Sequence, residues 1–136
     1  MGVEGIIVDT DVLIALVKKN LLDSFLWKFD GHITVITLYE YVRGRGYFGK
    51  LLEEEKNWLE KMFTILPLSN DSLLKASEIW ITLRRKGELV SDRDILNASI
   101  AISSGLPFCT GNTRHYKKMI EFGLNLVPWK DIERMI

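Results

Sequence analysis

Acidic residues fall where apolar, strand-like runs give way to helical spacing, and these are the places where this sequence could do chemistry. Asp9 follows the run Gly5-Ile-Ile-Val8, and Asp11 sits two positions on. Glu40 closes Thr37-Leu-Tyr-Glu40, and Asp92 and Asp94 lie in Ser91-Asp-Arg-Asp94. Thr110 and Asn112 follow the apolar run that begins at Leu106. In parallel sheets, ligands bind beyond the carboxyl ends of the strands. Asp9, Glu40 and Asp94 are therefore the candidates for one shared centre, with Asp11, Asp92, Thr110 and Asn112 as auxiliary groups. Carboxylates gathered in one cleft repel each other and lose solvation, and a divalent cation offsets both costs. Oxygen donors without supporting Cys or His suit Mg2+ or Mn2+. His32 and His115 have no zinc-like spacing with Cys109. A hard ion held this way can activate water and stabilise charge on a phosphate being cleaved.

Each acid also has an ordinary use. Asp9 can cap the helix that follows it. Glu40 and Asp94 can be the reciprocal partners of Thr37 and Ser91 in capping boxes. Asp11 and Asp92 can face solvent. The informative feature is the combination, in this order along the chain.

The elements that must position these groups alternate. Gly5–Val8 reads as a buried strand and Thr10–Lys19 as a helix with Val12, Leu13, Leu16 and Val17 on one face. A short helix over Leu21–Phe29, a turn at Asp30-Gly31 and a β-branched strand over His32–Ile36 follow. The Thr37 box opens a helix that Gly44 and Gly46 are expected to stop, and a second amphipathic helix spans Phe48–Met62. Phe63–Leu68 is a third strand. Asn70 or Asp71 caps a helix that ends at Gly87. Ser91 opens a helix that is apolar nearly all round, so it should lie deep, and Gly105 ends it. Leu106–Thr110 is a fourth strand, Leu124–Val127 a fifth, with a short basic helix between them and a helical end from Trp129. Strands alternating with helices imply parallel βαβ units. The expected fold is α/β: a three-layer α/β/α domain over residues 1–136 with a parallel sheet of about five strands.

Basic and acidic residues number 18 each, so the net charge is zero and phosphate contacts must come from a local patch. Arg43, Arg45 and Arg114, next to these acids, are the first candidates for phosphate contact. Arg93, His115, Lys117 and Lys118 are further ones, and a solvated surface charge is the ordinary use of each. Arg84-Arg-Lys86 complements a helix end and is left aside. Tyr39, Tyr41, Tyr47, Phe48 and Trp58 could stack on bases or serve packing and interfaces. The 136 residues are 47% hydrophobic and 26% charged, which suits a packed core. The single cysteine, Cys109, excludes an internal disulfide and reads as a buried small hydrophobe. No signal-peptide pattern or membrane-length apolar run is seen, so a cytoplasmic protein with no membrane partner is expected.

Four segments together resemble a known family. Val8-Asp-Thr-Asp-Val-Leu-Ile14 is similar to the opening motif of PIN domains, and Thr37-Leu-Tyr-Glu-Tyr-Val-Arg-Gly44 to their second, Glu-bearing motif. Asp94-Ile-Leu-Asn-Ala-Ser-Ile-Ala101 resembles the third, and Gly105-Leu-Pro-Phe-Cys-Thr-Gly-Asn-Thr-Arg-His-Tyr116 the fourth. The order and placement resemble the VapC-type toxin ribonucleases. That resemblance implies a metal-dependent ribonuclease with Asp9 and Asp94 as principal metal ligands. Glu40 would be a further ligand or would position water. It also implies a homodimer and a small antitoxin partner. The family often has an acid at the fourth motif where this chain has Asn112, which puts occupancy by two metals in question. Two other readings stay open from the residues alone. One is a degenerate PIN domain that binds RNA or a protein without cutting. The other is a haloacid-dehalogenase-like phosphatase, which Val8-Asp-Thr-Asp also resembles.

Overall fold

The computed structural model describes residues 4–136; residues 1–3, which the leader-peptide expectation also covers, lie outside the described residues. Strands β1 (Glu4–Val8), β2 (Phe29–Thr34), β3 (Thr64–Leu66), β4 (Phe108–Thr110) and β5 (Leu126–Pro128) form one sheet in the order β3-β2-β1-β4-β5. Every pairing is parallel. The three-layer arrangement expected from the alternating elements is what the chain adopts.

Alternation along β1 decides the layers, because successive side chains of a strand point to opposite faces. Ile6 and Val8 join a core with helices α1 (Thr10–Lys18), α2 (Leu22–Lys28), α3 (Val35–Tyr47), α4 (Leu52–Met62) and the terminal α8 (Trp129–Glu133). Ile7 faces the other core, built with α5 (Asn70–Arg85), α6 (Asp92–Ser104), α7 (Thr113–Tyr116) and the 3-10 turn that continues it. β1 is central, and the chain leaves it toward β2 on one side and returns to β4 on the other. That divergence makes a cleft at the carboxyl ends of β1, β2 and β4.

Several local expectations are corrected. Asp30 and Gly31 are not a turn: they pair with Gly5 and Ile6 inside β2, which begins at Phe29. Position 31 in the sheet requires glycine, because a Cβ there would meet the Phe63 ring at 2.8 Å. α3 starts earlier than the Thr37 box requires. Thr34 is its N-cap and accepts from the Thr37 amide at 3.1 Å, so Glu40 is released from any capping role. Gly44 and Gly46 do not stop α3; both lie within it, and α4 begins at Leu52 rather than Phe48. The stop is Gly49 at φ 90°. There the Gly49 amide donates to Gly46 and the Lys50 amide to Arg45, which satisfies the last carbonyls. The packing of Leu38, Tyr41 and Val42 carries the helix past two poor helix formers. Ser69, not Asn70 or Asp71, caps α5 in a reciprocal box with Ser72. α6 is buried as expected, from Asp94 through Ala101 except at half-buried Leu96, and ends at left-handed Gly105.

Candidate active site

Asp9 is seated by the sheet itself. Its amide donates to the Cys109 carbonyl at 2.9 Å, extending the β1–β4 ladder by one residue. Its side chain caps α1 by accepting from the Thr10 amide at 2.8 Å, and its other oxygen accepts from Thr110 Oγ1 at 2.9 Å. The capping use and a place in the site thus coexist. Asp94 sits in the first turn of α6, where Ser91 Oγ accepts from its amide at 3.2 Å. The Asp94 carboxylate does not return to the Ser91 backbone, so the expected box is only half formed; the carboxylate turns into the cleft. Glu40, one turn into α3, accepts from Thr10 Oγ1 at 2.6 Å.

All three carboxylates meet on one guanidinium. Arg93 donates from Nε to Glu40 at 2.6 Å, from Nη1 to Asp94 at 2.8 Å and from Nη2 to Asp9 at 2.7 Å. Nη1 also reaches the Tyr116 hydroxyl at 3.1 Å. The Asp9 side chain is 1% exposed, Asp94 10% and Glu40 15%, whereas Arg93 is 32% exposed and forms the solvent side of the cluster. Among the described residues, no three acids, histidines or cysteines are spaced to hold a metal ion directly. The donor set is nonetheless three convergent carboxylates already gathered by a cation, and its oxygens suit Mg2+ or Mn2+.

The charges feel one another. Burial pushes the Glu40 carboxyl up, but the hydrogen bonds from Arg93 and Thr10 outweigh it and hold Glu40 below its ordinary value. Burial likewise opposes the Arg93 charge, and the hydrogen bond to Glu40 and the charge of Asp9 raise it above the ordinary arginine value. Burial, then the charges of Asp9 and Asp94, push the Tyr116 hydroxyl up, so it stays a neutral partner.

The other sequence candidates separate. Asp11 accepts from the Gly111 amide at 3.0 Å and from Asn112 Nδ2 at 3.4 Å, tying α1 to the β4–α7 loop. A Cβ at Gly111 would stand 2.6 Å from that carboxylate, so glycine is what permits the approach. Burial and the charge of Asp9 push the Asp11 carboxyl up. Asn112 donates its amide to Thr110 Oγ1 and reaches the acids only through Thr110 and Asp11. Asp92 is exposed and lines a groove between α5 and α6, not the carboxylate cluster. Arg45 is engaged with Glu55 at 2.8 Å, and Arg43 lies over the Tyr39 ring at 4.9 Å. Arg114 lines a cleft of about 480 Å³ with His115, Lys118, Val90 and Asp94.

Sequence reasoning missed the supports. Thr34 Oγ1 donates to Asn97 Oδ1 at 2.6 Å, and Asn97 Nδ2 donates to the Tyr116 hydroxyl at 3.4 Å. This chain runs from the end of β2 through α6 to the Arg93 cluster. The signal was a polar Asn97 inside an otherwise apolar buried helix, since such a group requires a partner. Arg93, counted as one cation among several for RNA, is the hub of the acids.

No family model matches the sequence. The fold is that of VapBC-1 from nontypeable Haemophilus influenzae, with a TM-score of 0.77 at 18% identity, covering 93% of this chain and 98% of that one. VapBC-5 from Mycobacterium tuberculosis, a member of the VapBC family of toxin–antitoxin systems, superposes with a TM-score of 0.61 at 22% identity over 91% of this chain and 96% of that one. A VapC ribonuclease of Pyrococcus furiosus is 32% identical over 122 residues, 87% of this chain and 82% of the relative. With that identity and coverage, this chain belongs to the VapC ribonuclease family.

Proposed function

We propose that the protein is a divalent-metal-dependent ribonuclease that hydrolyses RNA phosphodiester bonds, and that it is the toxin of a toxin–antitoxin pair acting in the cytoplasm. The observation that carries this reading is the convergence of Asp9, Glu40 and Asp94 on a single cation at the carboxyl edge of the sheet, in a chain of the VapC family. Asp9 and Asp94 are the principal candidates to hold Mg2+ or Mn2+, with Glu40 completing the set. Such an ion supplies charge neutralisation at the phosphate and a more acidic water. Thr10 fixes Glu40, and Thr110 fixes Asp9, so these carboxylates are oriented before any ligand arrives. The N-termini of α1 and α6 both point toward the cluster and add positive potential there. Arg114, with His115 and Lys118 along the neighbouring cleft, would receive the RNA phosphates.

A partner is supported by the surface beside this site. Tyr47 and Phe48 are 86% and 81% exposed at the end of α3. The groove that Phe48 helps to line runs along Ile14, Val17 and Tyr41 to Glu40. An antitoxin covering that groove would shield both the apolar side chains and the acids, and a second copy of the chain would complete the homodimer. The phosphatase and the non-cutting module have no support in the fold or the relatives.

The test is cleavage of a fluorescent single-stranded RNA with Mg2+ or Mn2+. Chelator should stop it, and Asp9→Asn and Asp94→Asn should each lower the rate by more than ~100-fold while circular dichroism stays native. Undiminished cleavage by either variant refutes the assignment.

A further inference from the structure

We infer that Arg93 is the resident counter-ion of the acidic centre, and that divalent-ion binding is an exchange in which its guanidinium leaves the three carboxylates. This rests on the metal-dependent reading above. Three different nitrogens of Arg93 bind Glu40, Asp94 and Asp9 at 2.6, 2.8 and 2.7 Å. Those oxygens are the ones a hard cation would take, so the guanidinium and the ion compete for the same lone pairs. Buried carboxylates without a counter-charge are strongly destabilising, which gives the ion-free protein a reason to keep Arg93 in place. Besides Arg93, only His115 among the described residues forms an ion pair with any of the three acids, at 3.8 Å from Asp94.

The placement of Arg93 suits an exchange. It projects from the exposed first turn of α6 and is the most solvent-exposed member of the cluster, at 32% against 1% for Asp9. Its departure needs side-chain rotation and no change in the sheet. Two of the three acids, by contrast, are held by groups other than Arg93: Asp9 by Thr10 and Thr110, and Glu40 by Thr10. Those two carboxylates keep a partner when the guanidinium goes, and Asp94, released from Arg93, is the one left to close on the ion.

Direct Mn2+ binding to the whole protein, by calorimetry or by paramagnetic resonance of the free ion, tests this without recourse to cleavage. If the Arg93-out form is populated at ~10% or less, Arg93→Gln should bind Mn2+ about tenfold tighter or better, because the cost of displacement is gone. The same variant should melt lower than wild type without metal and regain stability with it. A residue that merely braces the site would weaken binding when removed. In wild type, the Nε–H resonance of Arg93, assigned by its absence from Arg93→Lys, should broaden or shift to a solvent-exposed value as Mg2+ saturates. This second measurement stands if Arg93→Gln does not fold. Mn2+ binding by Arg93→Gln no tighter than wild type, or an unchanged resonance at saturating Mg2+, overturns the exchange and leaves the metal reading intact. No Mn2+ binding by wild type or variants removes both.

Discussion

Glu40 is ionised at a place where burial opposes charge, and the acid stability of the protein should show it. Its folded value lies below the ordinary 4.5 because Arg93 and Thr10 outweigh desolvation. A depressed carboxylate contributes stability above its unfolded value, and that contribution is lost as pH falls through the folded value. Asp11 acts the other way. Its folded value is raised by burial and by Asp9, so its contribution is present below the ordinary 3.8 and lost as pH rises through the folded value. The stability of metal-free protein against denaturant should therefore lose the Glu40 contribution, against a gain from Asp11, as pH falls below 4.5, and Glu40→Gln should remove that loss. An identical slope in the variant would remove Glu40 from the balance. Cys109 offers a simpler reading. It is fully buried, and burial followed by the charges of Asp11 and Asp9 pushes its thiol up to about 12. Iodoacetamide at about pH 8 should leave the native protein unmodified and label it only on unfolding. Prompt native labelling would show that the β4 region opens locally. At this scale the three principal acids were legible because motifs mark them, and the bland expectation for Cys109 holds. Arg93, Thr34 and Asn97 were not, because their partners lie 53, 63 and 19 residues away along the chain.

Among the elements, α3 and β2 depend on glycines in opposite ways. Gly44 lies inside α3 with nothing within 4 Å of an added Cβ, so Gly44→Ala should stabilise the protein by about 0.5–1 kcal/mol through helix propensity alone. Gly31→Ala should cost about 1–3 kcal/mol, because a methyl group there meets the Phe63 ring and Leu26. Chemical denaturation of the two variants decides both; equal effects would mean that local backbone freedom, not space, sets them. Thr34→Val removes the α3 cap and leaves Asn97 Oδ1 without its donor, at a cost of about 1–3 kcal/mol. Element types were readable from periodicity throughout. Boundaries failed where two rules competed: the Asp30-Gly31 pair signals a turn but is held in β2 by its pairing with β1, and Gly44 signals a stop but is overridden by the packing of its neighbours.

For the whole molecule, zero net charge means that the proposed RNA substrate must be gathered by a local field. Arg114→Ala should weaken single-stranded RNA binding and lower the slope of log affinity against log salt by about 0.7, the loss of one phosphate contact. Mn2+ affinity should be unchanged, which separates substrate capture from ion binding. Layering and parallel sheet were predictable from the alternation of elements, because few topologies satisfy it. That Arg93 would join the three acids was not, since it depends on how α6 is set against β1 and α3.

The strand order has a consequence for synthesis on the ribosome. Asp9, Glu40 and Asp94 are all translated before β4, yet Asp9 is locked in place by Cys109 and Thr110, and Tyr116 follows later still. Nascent chains and premature termination products that end before Phe108 therefore hold all three acids but lack the Cys109 and Thr110 contacts that seat Asp9. Where the proposed cleavage needs a fully seated Asp9, it should begin only when translation is nearly over.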